Sequence, residues 1–183
     1  MGTSKQAPGG LEVVRRFVNT KDVEAGTDAL SSRAGAEAWL SEYGLPGAKG
    51  LDRSDLPRLT SMREALRQLL LANNSGEPPP PEALTELNRR SSEAAIGLHF
   101  DTDGSDLVTR CDGVDAAVAR LLAIAHESMR DKTWQRLKLC PADDCQWAFY
   151  DHSRNHSRTW CEMEECGNRA KARAWRERQR ASR

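Results

Sequence analysis

The chain has 183 residues, and its 27 basic and 27 acidic side chains leave a formal net charge of zero. Hydrophobic residues make up 38 % of the chain, so its length and composition fit one domain, or one domain with a small appended module. No segment approaches the roughly 18 to 20 apolar residues that cross a bilayer, and the first ten residues lack the apolar core of a signal peptide, so we expect a cytoplasmic protein without a membrane span.

The first third of the chain predicts two helices. Residues 1–10 contain a proline followed by two glycines and predict a disordered start. Between Leu11 and Val18 the apolar residues recur at helical spacing, which predicts the first helix. A second apolar set around Trp39 ends before Gly44, which is a helix stop signal.

The middle of the chain predicts the longest helix. This helix runs from about Asp55 to Asn73, with Asp55 as its cap and Pro57 tolerated in its first turn. Four consecutive prolines follow, and we interpret them as a stiff spacer because proline fixes φ and removes a hydrogen-bond donor. The last of them, Pro81, can open the next helix.

A change of period then predicts a β-hairpin. Apolar and polar residues alternate over 96–101 and 107–111, on either side of an Asp103-Gly104 turn signal. Helical spacing returns from Val114 to about Met129. The expected body, residues 11–133, is therefore mostly α-helical with one small antiparallel hairpin, an α+β class.

Four of the five cysteines form two closely spaced pairs, Cys140-x4-Cys145 and Cys161-x4-Cys166. These gaps are usual for structural zinc, and reduced cysteines in an intracellular protein favour a metal over disulfides. Four thiolates complete a tetrahedron and leave no open position, so we expect one structural Zn²⁺ that holds chain segments together. Alternating residues flank the first pair and a basic helix follows the second. Residues 134–183 thus predict a treble-clef-like zinc finger.

Two alternatives compete with this interpretation. His152 and His156 have the spacing of the second half of a two-cysteine, two-histidine finger, but only six residues separate Cys145 from His152, against about twelve in that motif. A redox switch, in which an oxidant removes the thiolates and releases zinc, stays open beside a structural role.

Net neutrality conceals an uneven distribution of charge. Residues 168–183 contain seven basic residues and one acidic residue, so they carry +6 and residues 1–167 carry −6. Five arginines follow one another at steps of four, three, four and three, which places them in one stripe of a helix: Arg169, Arg173, Arg176, Arg180 and Arg183. An acidic body with a basic end is typical of a module that meets polyanions.

The predicted nucleic-acid contacts combine this stripe with its neighbours. Lys171 and Arg178 are expected to widen the stripe, and Arg154 and Arg158 lie in a turn between the cysteine pairs. Arginine suits phosphate because its planar fork binds bidentately. The alternative is a solvated helix face at a chain end. The predicted set is Arg154, Arg158, Arg169, Lys171, Arg173, Arg176 and Arg180.

Segments of both the finger and the body resemble a known family. The segments Leu137–Asp151, Ser153–Arg158 and Cys166-Gly-Asn-Arg169 resemble the CGNR zinc finger, which is named for that tetrapeptide. Phe17-Val-Asn-Thr20 and Arg63-Glu-Ala-Leu-Arg67 resemble its partner domain, called ABATE. The resemblance implies a bacterial transcription regulator whose finger binds DNA. It implies no catalytic residues, because the partner domain has no settled ligand.

Three functional classes follow from these observations. The first is a DNA-binding regulator whose body senses a small molecule or dimerises. The second is a zinc-stabilised adaptor for protein or RNA. The third, an enzyme, is disfavoured because a four-cysteine site is closed and the four histidines are scattered.

The regulator hypothesis raises two further expectations. A mixture of polar and apolar residues at the end of the first predicted helix could line a pocket for an effector: Phe17, Asn19 and Thr20. The alternative is a helix end at which Asn19 and Thr20 cap the backbone. One finger has a small DNA footprint, so specific binding favours a homodimer.

Overall fold

The computed structural model describes residues 6–181. In this part of the chain the helices are α1 (Leu11–Val18), α2 (Arg33–Glu42), α3 (Leu56–Ser75), α4 (Pro81–Glu93), α5 (Gly113–Arg130) and α6 (Asn168–Ala181). The strands pair as three antiparallel hairpins, β1 (Lys21–Asp22) with β2 (Thr27–Asp28), β3 (Gly97–Asp101) with β4 (Gly104–Val108), and β5 (Leu137–Leu139) with β6 (Ala148–Tyr150). The predicted mostly helical α+β class is confirmed. None of these helices combines the length and the apolar character needed to span a bilayer.

The long predicted helix is confirmed, but its cap differs from the prediction. α3 has Pro57 in its first turn, as expected. The Asp55 carboxylate does not cap α3, because it accepts the backbone N–H of Asp52 at 2.8 Å in the turn that precedes the helix. At the other end, Gly76 takes a left-handed φ of 77° and donates its N–H to the carbonyl of Ala72 at 2.8 Å, which terminates the helix.

The β3–β4 hairpin confirms the second expected element with a shifted turn. Asp101 pairs with Gly104, so the turn residues are Thr102 and Asp103 rather than Asp103 and Gly104. The Asp101 carboxylate accepts the N–H groups of Asp103 and Gly104 at 2.9 and 3.0 Å, and this local hydrogen bonding fixes the turn.

Helix α3 occupies the centre of the core. Its residues Leu59, Met62, Leu66 and Leu70 are fully buried, and α1, α4 and β5 pack against it. The same buried cluster continues past the predicted boundary between residues 133 and 134, where its members are Trp134, Leu137, Leu139, Ala148 and Tyr150. The β5–β6 hairpin of the finger therefore shares the core of the body.

The predicted disorder of residues 1–10 is wrong for the described residues 6–10. Ala7 is buried and donates its N–H to the Glu12 carboxylate at 2.8 Å. The Gln6 carbonyl lies 2.8 Å from Nε2 of His152, so this segment closes over the finger. Residues 1–5 and Arg183, the last arginine of the predicted stripe, lie outside the described residues.

Candidate metal centre and basic helix

Short secondary-structure elements bring the four cysteines together. Cys140 follows β5 directly, and Cys145 lies in the turn before β6, where Gln146 takes a left-handed φ of 54°. The Cys140 N–H donates to the carbonyl of Trp147 at 2.9 Å and closes this turn. Cys161 lies in the loop after β6, and Cys166 belongs to the single helical turn Met163–Gly167 that leads into α6. The site thus joins a hairpin, a loop and the start of the basic helix.

The spacing of the four sulfur atoms fits one tetrahedral ion. All four Sγ atoms lie within 4.8 Å of one another, and the Cys145–Cys161 and Cys161–Cys166 pairs are 3.4 and 3.7 Å apart. Zinc–sulfur bonds of about 2.3 Å produce a tetrahedron whose edges are about 3.8 Å. A disulfide needs an S–S distance of about 2.05 Å, so these pairs are too far apart to be bonded. The arrangement fits a closed site for a single Zn²⁺.

The ionisation of the thiols also calls for a cation. Hydrogen bonds from Cys145 and Cys161 lower the pKa of the Cys140 thiol. The pKa of Cys145 is raised to about 12 by its hydrogen bond to Cys140, and burial raises the pKa of Cys166. All four side chains are buried close together, so repulsion between neighbouring thiolates opposes their joint ionisation. Zn²⁺ supplies the charge that holds all four as thiolates.

Two cationic side chains hold the loops around the cysteines. Lys138, which is 4 % exposed, donates to the Asp151 carboxylate at 2.9 Å and to the carbonyls of His156 and Arg158 at 2.6 and 3.0 Å. Arg158 donates to the carbonyls of Trp160 and Cys161 at 2.9 and 2.5 Å. Arg158 was expected to contact nucleic acid, but the structure turns its guanidinium toward the cysteine loop, where it acts as a brace.

Side chains of α3 attach the cysteine-bearing hairpin to the body. Arg67, 2 % exposed, donates to the carbonyl and to the side-chain oxygen of Gln146 at 3.1 and 2.8 Å. Asn73 donates to the carbonyls of Trp134 and Leu137, each at 2.9 Å. Asn74 reaches the carbonyls of Leu139 and Thr159 at 2.8 and 2.7 Å. The sequence did not predict the role of these three residues, because the pattern of a helix does not indicate which distant carbonyl groups its polar side chains contact.

The residues expected to line an effector pocket have other contacts. Phe17 is fully buried against Trp39, with ring centroids 5.3 Å apart, so its side chain belongs to the core, and its contact with a ligand stays a prediction. Asn19 holds both main-chain groups of Ala148, at 2.7 and 3.0 Å. The Thr20 hydroxyl donates to the Phe17 carbonyl at 2.7 Å, which confirms the capping alternative for this residue. Asn19 and Thr20 border an open depression of about 510 Å³, and ligand binding there stays a prediction.

Helix α6 carries its positive charge on two sides. At about 100° per residue, Arg169, Arg173, Arg176 and Arg180 fall within about 60° of one another. Lys171 and Arg178 lie on the opposite side of the helix, so the expectation that they widen the stripe is wrong. They share that side with Trp175, which is 59 % exposed.

Acidic groups of the body and of the first cysteine turn meet the first half of the stripe. Arg169 lies 3.5 Å from the carboxylates of Glu24 and Asp144, and it donates to the sulfur of Cys166 at 3.3 Å. Arg173 lies 3.5 Å from the Asp143 carboxylate, which is 88 % exposed. Arg169 therefore connects the metal site to α6, whereas a surface pair such as that of Arg173 exchanges readily with another anion.

The remaining predicted contacts are exposed. Arg176 and Arg180 continue the stripe beyond the acidic groups, and neither forms an ion pair with a residue in the described range 6–181. Arg154 is exposed in the loop between the cysteine pairs, about where sequence reasoning expected it. The structure thus brings the stripe and the cysteines together, and it leaves the second half of the stripe open to solvent.

Comparisons with known proteins agree with this architecture. The CGNR zinc finger model matches residues 136–179. The ABATE model, described as "Putative stress-induced transcription regulator", matches residues 11–131. A search of curated proteins finds no match. Since the second model covers more than half of the 183 residues, the chain belongs to the ABATE family and carries a C-terminal CGNR zinc finger.

Proposed function

We propose that this chain regulates transcription by binding DNA through α6, which one Zn²⁺ held by Cys140, Cys145, Cys161 and Cys166 fixes to the body. The observation that carries the proposal is the basic helix itself. Its principal contact with the rest of the chain is the preceding turn, and its cationic side chains are exposed. A projecting helix with this charge suits the major groove, which admits an α-helix between two phosphate backbones.

The zinc site supports the proposal because it defines where α6 begins. Cys166 lies two residues before Asn168, the first residue of the helix, so an ion bound there fixes the helix start relative to β5 and β6. Arg169 adds a hydrogen bond from the helix to a ligand sulfur. The zinc supplies no open coordination position and serves as a structural cross-link. A rigid support of this kind reduces the ordering cost of binding.

The two charged sides of α6 match a helix that lies in a groove. Arg173, Arg176 and Arg180 face one phosphate backbone in this arrangement, and Lys171 faces the other. Trp175 stands on the second side, where an exposed aromatic ring can stack on a base or a sugar. Arg169 and Arg158 act through the finger rather than on phosphate, because their guanidinium groups bond to the cysteine loop.

The test is the salt dependence of binding to duplex DNA, measured by fluorescence anisotropy with zinc-loaded protein. The double variant Arg176→Ala/Arg180→Ala removes two proposed phosphate contacts. We expect weaker binding and a slope of log K against log salt that is shallower by about 1.8. The control Arg53→Ala/Arg110→Ala removes two exposed arginines outside α6 and should leave the slope unchanged. An unchanged slope in the α6 variant overturns the proposed contact.

The alternative proposal is an adaptor that binds protein or RNA through the same helix. Exposed tryptophan and arginine are enriched at protein interfaces, which is the specific feature in its favour. The duplex experiment separates the two proposals, because an adaptor shows no salt-dependent duplex binding that the Arg176→Ala/Arg180→Ala variant alters.

We further propose that the chain is a cytoplasmic regulator without enzymatic activity. The closed four-cysteine arrangement offers no position for a substrate at the metal. A bacterial regulator acts where the DNA is, which in bacteria is the cytoplasm. We expect the zinc-loaded protein to show no turnover on a panel of model hydrolase and oxidoreductase substrates. Reproducible turnover of any of them contradicts this proposal.

A further inference from the structure

The first half of the arginine stripe already has anionic partners. Arg169 lies 3.5 Å from the carboxylates of Glu24 and Asp144, and Arg173 lies 3.5 Å from the carboxylate of Asp143. A phosphate group that approaches either arginine therefore meets a guanidinium whose charge another anion already shares. The two arginines differ in how readily phosphate can replace that anion.

Several groups hold Arg169 in place. Its guanidinium donates to the sulfur of Cys166 at 3.3 Å, in addition to its two carboxylate contacts, and this sulfur belongs to the four-cysteine cluster. A phosphate that reached Arg169 would have to displace more than one of these groups. Arg169 therefore remains part of the finger, and the competition between anions concerns Arg173.

Arg173 has one carboxylate within ion-pair distance among the residues that the structure describes, that of Asp143. The side chain of Arg173 is 53 % exposed and that of Asp143 is 88 % exposed, so solvent screens their attraction. The planar fork of a guanidinium can bind two phosphate oxygens at once. A DNA phosphate can therefore take the place of this carboxylate.

The first cysteine turn, which connects Cys140 to Cys145, fixes the position of Asp143. The carbonyl of Ala142 accepts the N–H groups of Cys145 and Gln146, each at 3.0 Å, and these hydrogen bonds close the turn. The thiol of Cys145 at the end of the turn belongs to the four-cysteine cluster. The turn therefore holds the Asp143 carboxylate beside α6 before any DNA is present.

We propose that Asp143 competes with phosphate for Arg173 and thereby lowers the affinity of α6 for polyanions. This inference rests on the proposed contact between α6 and DNA, and it assigns to a residue outside the helix a part in setting the strength of that contact. In the free chain the Arg173 guanidinium faces Asp143. In the complex it faces a phosphate, and the released carboxylate is left in solvent near the DNA backbone, which repels it.

The competition predicts a characteristic salt dependence. Neutralising one phosphate of B-DNA releases about 0.9 of a condensed counterion. Arg173 exchanges one anion for another, and the released Asp143 carboxylate attracts a cation from solution, so this contact releases fewer ions in total. Removal of the carboxylate should therefore steepen the slope of log K against log salt by up to about 0.9, and the gain in affinity should be largest at low salt.

The test is a double-mutant cycle on Asp143 and Arg173. Fluorescence anisotropy measures binding of the zinc-loaded chain to a short duplex DNA and, in parallel, to labelled heparin, a polyanion without bases or grooves. We expect Asp143→Asn to tighten binding to both probes by about 1.5- to 5-fold at low salt, the range that corresponds to a surface ion pair. When Arg173→Ala is already present, this coupling should disappear.

The matched control is Glu164→Gln. Glu164 is exposed in the turn before α6 and forms no ion pair with another residue of the described range 6–181, so this variant removes the same charge without freeing an arginine. It measures general repulsion, and its effect should be equal with and without Arg173→Ala. In the Arg173→Ala background, Asp143→Asn should have no larger effect than this control. Wild-type circular dichroism and zinc content of each variant verify that the finger is intact.

The two probes separate this inference from the proposed function. Coupling between Asp143 and Arg173 on heparin, without any binding to duplex DNA, supports the competition and contradicts DNA binding. Binding to duplex DNA that Asp143→Asn leaves unchanged, or tightens equally with and without Arg173→Ala, overturns the competition and leaves DNA binding intact. A chain that binds neither probe overturns both.

Discussion

Replacing Arg67 by methionine tests how firmly the body holds the metal site. Arg67 is buried in α3 and donates to the carbonyl of Val18 at 3.1 Å and to two oxygens of Gln146, the residue after Cys145. Burial lowers the pKa of this guanidinium, which nevertheless stays charged near neutral pH. Methionine has a similar length but no donor, so the change removes the hydrogen bonds and preserves much of the packing.

The expected cost follows from the acceptors that lose their donor. An unsatisfied buried acceptor costs about 1 to 3 kcal/mol. The Val18 carbonyl is buried, whereas Gln146 is half-buried and water can replace part of its bond, so we expect a total loss of about 2 to 4 kcal/mol. For a chain of this size, that free energy corresponds to a fall in Tm of roughly 4 to 16 °C. The free turn next to Cys145 should also weaken zinc binding by about tenfold.

Two assays measure these effects. Urea unfolding in excess zinc determines the change in the free energy of unfolding, and competition with a chromogenic chelator determines the zinc affinity. The control is Arg33→Met on α2, whose guanidinium pairs with Glu37 at the surface, and it should change stability by less than about 0.5 kcal/mol. An Arg67 variant as stable as this control, with unchanged zinc affinity, refutes the reasoning.

Three further outcomes follow from the same contacts. Cys161→Ser removes one thiolate, and the loop and turn that carry Cys161 and Cys166 should lose their fixed structure, which changes the surroundings of Trp160; an unchanged near-UV tryptophan signal contradicts the four-cysteine site. Asn19→Ala breaks both hydrogen bonds to Ala148 and should cost about 1 to 3 kcal/mol in urea unfolding, and a loss below about 0.5 kcal/mol argues against this clamp. Burial opposes ionisation of Glu86, but hydrogen bonds from one serine and two arginines outweigh it and lower its pKa to about 2. The stability that ionised Glu86 contributes is therefore complete above pH 4.5 and disappears as the pH falls toward 2. The difference in urea midpoint between wild type and Glu86→Gln should shrink over this pH range. A difference that stays constant contradicts this role of Glu86.

Local patterns were enough to predict the helices and the cysteine cluster. Helical spacing from Leu11 and from Val114 reflects which side of each helix is buried, and that requirement acts within a few residues. The cysteine pairs are similarly local, because tetrahedral zinc requires short gaps within each pair. These features could be predicted before any tertiary contact was known.

The contacts between body and finger could not be predicted in this way. Arg67 and Gln146 are 79 residues apart in the chain, and Asn74 and Thr159 are 85 apart. In a sequence these side chains look like the solvated side of a helix, and only the packing of α3 against β5 turns them toward main-chain carbonyls. The short β1–β2 hairpin was missed as well, because two-residue strands have no period to detect.

The arginines show the same division between local and distant information. The stripe from Arg169 to Arg180 follows from helix geometry, and the structure contains the helix. The inward orientation of Arg158 depends on the path of the cysteine loop and on Phe149, whose ring centroid lies 5.6 Å from the guanidinium carbon. The sequence shows that a residue is an arginine, but the tertiary structure determines whether its guanidinium is exposed to solvent or donates to a carbonyl group.

The most direct test of zinc-ordered DNA recognition is selection from a random duplex DNA pool, performed in parallel with zinc-loaded protein and with protein stripped by a chelator. We expect the zinc-loaded protein to enrich a sequence motif and the stripped protein to lose this enrichment, because the ion fixes the start of α6. No enrichment with zinc, or the same enrichment without it, contradicts the claim that the metal site presents α6 to DNA.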